Sequence, residues 1–189
     1  KNMFWSTNAD YKVDSYVAFR GKFSLSKTSK VEIRLLGASW FVAWLDEKYL
    51  DEGPARFDRR HPEYQTRSID LPEGDHLIAI VVHYIGLDTR ILENMPAFLD
   101  CSIEAGGNKL PIQWSCKQLD AYQSQVRRIN LQLGWMEWCD TRSIPEDWLK
   151  VHFDDQSWDQ PVEIDPGIGT PTPLLTAQVQ QFTLVPELI

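Results

Sequence analysis

The sequence predicts an all-β domain: an antiparallel β-sandwich of jelly-roll or galactose-binding-like type with one short helix. Three observations favour this fold. Apolar residues recur with a period of two, the apolar runs have the length of strands, and turn residues separate them. Roughly nine such runs, without an internal repeat or a heptad pattern, are typical of two packed sheets.

The first two strands alternate between apolar and polar residues. In segment 17–25, Phe19 and its apolar neighbours lie on one side and Arg20 lies with polar residues on the other. Segment 31–35 alternates in the same way. This pattern predicts sheets that cover a core with one face and meet water with the other.

Two later strands are apolar on both faces. Residues 39–45 (SWFVAWL) and 76–84 (HLIAIVVHY) predict central strands that are buried on both sides. We therefore assign Trp40 and Trp44, together with Trp5, to the core.

Turn residues and short elements follow. Residues 97–105 and 109–114 predict a hairpin around a Gly-Gly-Asn turn. Residues 127–133 predict one more strand. Pro145–Val151 predicts the short helix, because proline suits the first helical turn and acidic residues follow it.

The C-terminal third combines tryptophans with acidic residues. Four of the eight tryptophans lie between residues 135 and 158, and residues 137–165 contain nine acidic residues against two basic ones. We expect Trp148 and Trp158 to anchor their loops. Asp154 and Asp155 suit either a calcium site or, in the favoured interpretation, a turn capped by its own side chains.

Charge and motifs exclude several classes of function. The net charge is −8 and the pI is near 5.0, and the close basic pairs are limited to 59–60 and 127–128, so nucleic acid is not expected as a partner. No apolar run approaches the roughly 18 residues of a membrane span. Nucleotide-binding and common hydrolase motifs are also missing from the sequence.

The three cysteines favour structural roles. Cys101, Cys116 and Cys139 are widely spaced, odd in number and without a CxxC pair. This favours small buried side chains over a disulfide framework or a thiolate metal site, with a single disulfide as the alternative. The unpaired count tilts the expected compartment towards the cytoplasm rather than secretion. No cofactor is predicted, with calcium as the alternative named above.

An ordered set of motifs resembles a known family. These segments are SWFVAWLD, DEGPAR (51–56), LPEGD (71–75), HLIAIVVHYIG, EWCDTR (137–142) and FDDQSW (153–158). Together they resemble, over about residues 4–165, the N-terminal β-sandwich of bacterial α-L-rhamnosidases of glycoside hydrolase family 78. The family's usual Asn-Gly hairpin turn is Asp46-Glu47 here, which disfavours a type I′ turn.

The resemblance implies a non-catalytic accessory domain. Residues 1–165 would form the sandwich, and residues 166–189 a linker with a final strand at 179–185, leading to a catalytic domain outside this sequence. The expected partner is a carbohydrate or that catalytic domain. An independent carbohydrate-binding module and a structural interaction domain without a ligand are the alternatives.

Sugar binding requires aromatic faces and planar polar groups. The candidate carbohydrate-binding residues of these types are Trp135, Trp138, Tyr64, Arg56, Arg128, Glu137 and Asp140. Glu137 and Asp140 are also the best pair of carboxylates for glycoside hydrolysis, but a solvated or docking loop is the favoured interpretation, and no catalytic residue is assigned.

Overall fold

The chain folds into two β-sheets stacked face to face. A computed structural model describes residues 3–7, 12–90 and 92–175. The strands within these residues are β1 (Met3–Trp5), β2 (Ser15–Leu25), β3 (Ser29–Ala38), β4 (Trp40–Leu45), β5 (Lys48–Gly53), β6 (Glu63–Leu71), β7 (Gly74–Tyr84), β8 (Phe98–Ala105), β9 (Asn108–Lys109), β10 (Gln113–Gln118), β11 (Val162–Glu163) and β12 (Thr172–Pro173).

The two sheets contain seven and five strands. The larger has the order β11-β1-β8-β3-β6-β12, with β9 also paired to β8, and the smaller has the order β10-β2-β7-β4-β5. Every pairing is antiparallel except the short one between β12 and β6. The predicted antiparallel sandwich is confirmed, while its jelly-roll connectivity stays a prediction.

The main core lies between the sheets. Phe19 of β2, Ile33 of β3, Phe41 of β4, Ile80 of β7 and Ile103 of β8 are all buried there. The period-two pattern predicted this face correctly, because alternate side chains of a strand point to the same side of its sheet.

The outer face of the five-stranded sheet is covered as well. Residues 119–158, which we term the covering segment, pack Trp148 and Trp158 onto Ala18 and Leu77. The predicted wet face of β2 is therefore wrong at Ala18 and Arg20, which are fully buried, and correct at Ser24, which is exposed. Both tryptophans anchor their loops as expected.

The predicted burial of Trp5, Trp40 and Trp44 is only partly correct. Trp5 is buried in the main core, and Trp44 contacts the ring of Trp148 with centroids 5.8 Å apart. Trp40, in contrast, is 39% exposed, so its assignment to the core is wrong. The reason is that Trp40 lies on the same outer face as Trp44 but is not among the side chains that pack beneath the covering segment.

The covering segment contains neither the predicted helix nor the predicted strand. Pro145–Val151 forms successive turns, and within the described residues the one helical element is a 3-10 turn at Thr141–Ser143. Residues 127–133 also lie in turns and a single bridge rather than in a strand. Both predictions rested on local pattern, whereas packing against the sheet determines the path of this segment.

The predicted hairpin after β8 is shorter than expected. Only β9, two residues long, pairs back onto β8 across a turn formed by Gly106 and Gly107, both with positive φ. The chain then crosses to the other sheet, where β10 pairs with β2 over six residues.

The β4–β5 connection corrects another expectation. Asp46 and Glu47 have φ values of 47° and 67°, and Leu45 pairs with Lys48, which is the geometry of a two-residue type I′ turn. The Asp46 carboxylate accepts the backbone N–H of Leu77 at 2.9 Å and contacts His76 Nδ1 at 2.7 Å. These bonds to the neighbouring strand stabilise a turn that its residue types disfavour.

This geometry predicts that Glu47→Gly stabilises the protein. Glycine adopts positive φ without steric cost, so we expect the free energy of unfolding to rise by up to about 1 kcal/mol. Chemical denaturation would measure the change. Glu73→Gly, at an exposed turn position without positive φ, is the control and should lower stability slightly. An equal effect of both substitutions would contradict the prediction.

The segment after β11 lies against the sandwich. Ile168 is buried with Met3, Leu36 and Phe98, and β12 pairs with β6. The expected final strand at 179–185 lies outside the described residues, and the division of the chain at residue 165 stays a prediction.

Two further features are plain in the described residues. Cys101 and Cys116 are buried, Cys139 is half-buried, and all three thiols are free. No helix of the described segments is both long and apolar enough to cross a membrane.

Candidate functional site

The predicted site residues fall in three places. Trp135, Glu137, Trp138, Asp140 and Arg128 lie together in the first part of the covering segment. Arg56 lines a separate cleft, and Tyr64 lies on the seven-stranded sheet.

The base of the first group is an aromatic stack on β2. The Tyr16 ring lies between His83 and Tyr122, with centroid distances of 3.9 and 3.8 Å. The Glu137 carboxylate lies close enough to the Tyr16 hydroxyl to act on it electrostatically. Burial, followed by the charges of Glu137 and Asp14, raises the pKa of Tyr16 far above its ordinary value, so it stays a neutral donor.

A second contact ties the other side of this loop to the stack. Burial, followed by the charge of the neighbouring Cys139, raises the pKa of Tyr122 to about 12. A backbone bridge between the same two residues closes the loop. Residues 123–138 therefore project from a fixed base.

The loop is also held together internally. Arg128 donates to the carbonyl oxygens of Leu131 and Leu133, and Asn130 Oδ1 accepts the backbone N–H groups of Gln132 and Leu133. Trp135 Nε1 donates to the carbonyl of Ile85 at 3.1 Å. Arg128 and Trp135 thus stabilise the loop, and their polar groups are engaged within the chain.

Apolar side chains point outward from this fixed loop. Of the ten large apolar side chains exposed in the described part of the chain, six lie in residues 126–138: Val126, Ile129, Leu131, Leu133, Met136 and Trp138. Leu131 is 86% exposed and Trp138 is 54% exposed. We term these six side chains the loop surface.

Asp140 at the end of the loop is occupied by a local contact. Its carboxylate receives a two-point hydrogen bond from Arg142 and caps the 3-10 turn at Thr141–Ser143. The hydrogen bonds from Arg142 outweigh the slight effect of burial and lower the pKa of Asp140 below its ordinary value.

Arg56 lines a cleft of about 340 Å³ at the end of the sandwich. The apolar wall is formed by Phe57, Leu92 and Met95, and Glu93 lies on the same rim. Tyr64, in contrast, packs its ring beside the guanidinium of Arg34, 5.6 Å from the ring centroid. Tyr64 shares an apolar cluster with Phe57 and Met95 of the cleft, but it does not line the cleft and lies apart from the loop candidates.

The carboxylate oxygens of Asp155 accept hydrogen bonds from two cationic side chains and one serine. Arg20 donates to Oδ2 at 2.9 Å, Lys22 to Oδ1 at 2.7 Å and Ser115 to Oδ2 at 2.9 Å. Asp154 accepts the backbone N–H of Gln156 and so caps the turn. In the described residues no cluster of three acidic, histidine or cysteine side chains could hold a metal ion.

Sequence reasoning did not identify several residues of these surfaces. The sequence pattern places Leu131 in a strand and gives Met136 no role, and Glu93 lies in a stretch without any periodic pattern. The signal that could have revealed the loop surface was a run of spaced apolar residues between polar ones where no strand partner was evident.

Known structures share this fold. The chain superposes on a GH78 family rhamnosidase of Bacillus sp. GL1 with a TM-score of 0.82 and 24% sequence identity, over 91% of this chain and 19% of that chain. It shares its fold with one part of that rhamnosidase. An α-L-rhamnosidase from Dictyoglumus thermophilum matches with a TM-score of 0.63 and 14% identity, over 91% and 22% of the two chains.

A lectin shares the fold as well. The apo form of Pleurotus ostreatus lectin superposes with a TM-score of 0.60 and 13% identity, over 88% of this chain and 42% of the lectin. No protein-family profile matches the sequence, and no characterised protein matches it by sequence.

These matches confirm the predicted likeness at the level of the fold. The chain spans about a fifth of the length of the two rhamnosidases. That share is typical of one domain within a larger polypeptide. The lectin match agrees with a carbohydrate-binding-like fold.

Proposed function

We propose that the chain is a non-catalytic accessory domain, of jelly-roll type, in a bacterial α-L-rhamnosidase-like glycoside hydrolase. Its loop surface would dock on the catalytic domain of the same polypeptide. The observation that carries this proposal is the loop surface itself, on a fold that recurs as a fifth of a rhamnosidase chain.

The exposed apolar side chains of the loop surface indicate that it binds a protein partner rather than serving as an ordinary solvent-exposed surface. Scattered apolar side chains are normal on protein surfaces, but a concentration of six in one loop is a feature of interaction sites. Burying a Leu or Met side chain contributes about 1.5–3 kcal/mol. Several such side chains are therefore enough to stabilise an interface between domains.

The rigidity of the loop supports the same conclusion. The bonds from Arg128 and Asn130 fix the backbone before any partner arrives. A preformed loop loses little conformational entropy on docking. A loop with no partner would have no need to present Leu131 and Met136 in an ordered conformation.

A catalytic role for the loop carboxylates is disfavoured by their contacts. The Asp140 carboxylate is engaged by Arg142 through an ion pair and a two-point hydrogen bond. An inverting glycosidase requires two carboxyl groups that both face a sugar, whereas the Asp140 carboxylate is held by Arg142.

The docking proposal predicts different effects of one double substitution in two settings. Leu131→Asp with Met136→Asp should leave the stability of the isolated chain within about 0.5 kcal/mol, because both side chains are exposed. In the complete polypeptide with a catalytic domain, the same change should expose the interface and lower the Tm by several degrees. Differential scanning calorimetry would measure both.

Tyr49→Asp provides the matched control, because Tyr49 is 60% exposed on the edge strand β5, outside the loop surface. It should have no effect in either setting. An unchanged Tm for the double variant in the complete polypeptide would sink the docking proposal.

An independent carbohydrate-binding module is the second candidate function, favoured by the lectin match. It would use Trp138 as a stacking surface. Calorimetric titration with rhamnose-containing oligosaccharides separates the two candidates: binding that is lost in Trp138→Ala would support the module, and no binding at this loop would support the docking role.

A further inference from the structure

The cleft beside Arg56 combines an apolar wall with polar groups of opposite charge. It is lined by Ala38, Ser39, Pro54, Ala55, Arg56, Phe57, Asp58, Leu92, Glu93 and Met95. Its volume of about 340 Å³ falls at the lower end of the range of small-ligand sites, roughly 300–1,000 Å³.

Two charged side chains on this rim have no direct contact with a partner. Within the described ranges, neither Arg56 nor Glu93 forms a hydrogen bond or a salt bridge. Glu93 influences Arg60 only through the electric field, and Arg60 itself is bound to Asp58. Most arginines of the five- and seven-stranded sheets, in contrast, are ion-paired, as Arg20, Arg34 and Arg67 are.

Ser39 supplies a third polar group. Its Oγ accepts the backbone N–H of Ile85 at 3.1 Å, and a hydroxyl group has one proton to donate in addition. This bond fixes the position of Ser39 at the floor of the cleft, between β3 and β4. The three polar groups thus comprise a donor-only guanidinium, an acceptor-only carboxylate and a hydroxyl.

We propose that this cleft binds one pyranose residue of a neutral glycan. The hydroxyl groups of a pyranose both donate and accept hydrogen bonds, so they match Arg56 and Glu93 at once. Its C–H face suits the apolar wall formed by Phe57, Leu92 and Met95. The Glu93 carboxylate and the net charge of −8 oppose an anionic ligand, and Arg56 opposes a cationic one.

This site is separate from the loop surface and does not depend on the docking role. The proposal therefore differs from the module hypothesis above, because it places the sugar on Arg56 and Glu93 rather than on Trp138. Asp58 contributes to the wall of the cleft, but its carboxylate is held by Arg60, whose hydrogen bonds keep the pKa of Asp58 well below its ordinary value.

Protein-observed NMR of the 189-residue chain tests the proposal. The probes are the methyl pyranosides of L-rhamnose, D-galactose, D-glucose and D-mannose, titrated to tens of millimolar. We expect at least one to shift the backbone amides of residues 38–39, 55–58 and 92–95 with millimolar affinity. Glycine serves as a zwitterionic probe, because it could also bridge Arg56 and Glu93.

Substitutions then assign the contacts. Arg56→Ala and Glu93→Gln should each weaken the binding of that pyranoside about tenfold, the effect of losing a hydrogen bond to a charged group. Lys27→Ala and Glu73→Gln, both at exposed turns, should leave it unchanged. The Leu131→Asp and Met136→Asp double variant should also bind normally, which separates this test from that of the docking role.

Three outcomes would overturn the proposal. These are no shift at the cleft with any pyranoside, equal binding by the Arg56 variant and the parent chain, and shifts at the cleft with glycine but not with the sugars. Shifts confined to the loop around Trp138 would favour the carbohydrate-binding module instead and would also count against the cleft.

Discussion

Asp155→Ala is expected to lower the free energy of unfolding by about 3–5 kcal/mol, the cost of removing one partner from a buried ion pair. Arg20 is fully buried and the side chain of Asp155 is only 13% exposed. Without the carboxylate, the Arg20 charge would stay buried with only carbonyl oxygens as partners. Chemical denaturation of the 189-residue chain measures the loss, which corresponds to a decrease in Tm of about 10 °C.

The contacts of Arg20 explain why this effect should be large. The guanidinium also donates to the carbonyl oxygens of Trp148 and Lys150, and it lies 4.9 Å from the ring centroid of Phe153. One side chain of β2 therefore contacts four residues of the covering segment, namely Trp148, Lys150, Phe153 and Asp155. Loss of its counter-ion weakens the attachment of that segment to the five-stranded sheet.

The neighbouring residue provides a matched control. Asp154 is exposed and only caps the turn through the N–H of Gln156. Asp154→Ala should cost about 1 kcal/mol or less. Equal losses for the two aspartates would show that the ion pair with Arg20 does not hold the covering segment.

The same pair makes stability depend on pH. Burial raises the pKa of Asp155, but hydrogen bonds from Lys22, Arg20 and Ser115 outweigh this effect and lower the pKa below its ordinary value. A carboxyl group of this kind stabilises the fold above its unfolded pKa of about 3.9. This contribution is lost as the pH falls through the lower folded value, and Asp155→Ala should reduce the acid sensitivity of unfolding.

The sequence predicts the inner faces of the sheets well, because the alternation of Phe19, Ile33 and Ile80 with polar neighbours reflects a single geometric rule. It does not predict which outer faces are covered. Arg20 has the residue type of a wet face, and its burial depends on Asp155, 135 residues later in the chain. No local pattern contains that contact.

The surfaces are predicted less completely than the fold, for a related reason. The sequence groups Trp135, Glu137 and Trp138 into one candidate site, because they are neighbours in the chain. It could not join Ser39, Arg56 and Glu93, because three separate connections meet at that cleft only after the sheets have packed. Asp46 shows the same limit, since its bonds to His76 and Leu77 override the turn preference of its residue type.

Trp158→Ala should destabilise the chain by about 3–5 kcal/mol, the typical cost of removing a buried tryptophan. Trp158 is buried against the sheet, packs on the ring of Phe153 with centroids 5.8 Å apart, and lies 6.4 Å from Trp148. Its removal would leave a cavity between the covering segment and the β2 and β7 residues against which it packs.

Trp138→Ala is the control for that substitution, because the same side chain is removed from an exposed position of the same segment. We expect its effect on unfolding to lie within about 0.5 kcal/mol in the isolated chain. Denaturant titrations of the two variants measure the difference in the free energy of unfolding, provided that the two variants have the same m-value. If Trp138→Ala cost as much as Trp158→Ala, the loop around Trp138 would be part of the core that stabilises the sandwich, and a docking role for its exposed face would lose its physical basis.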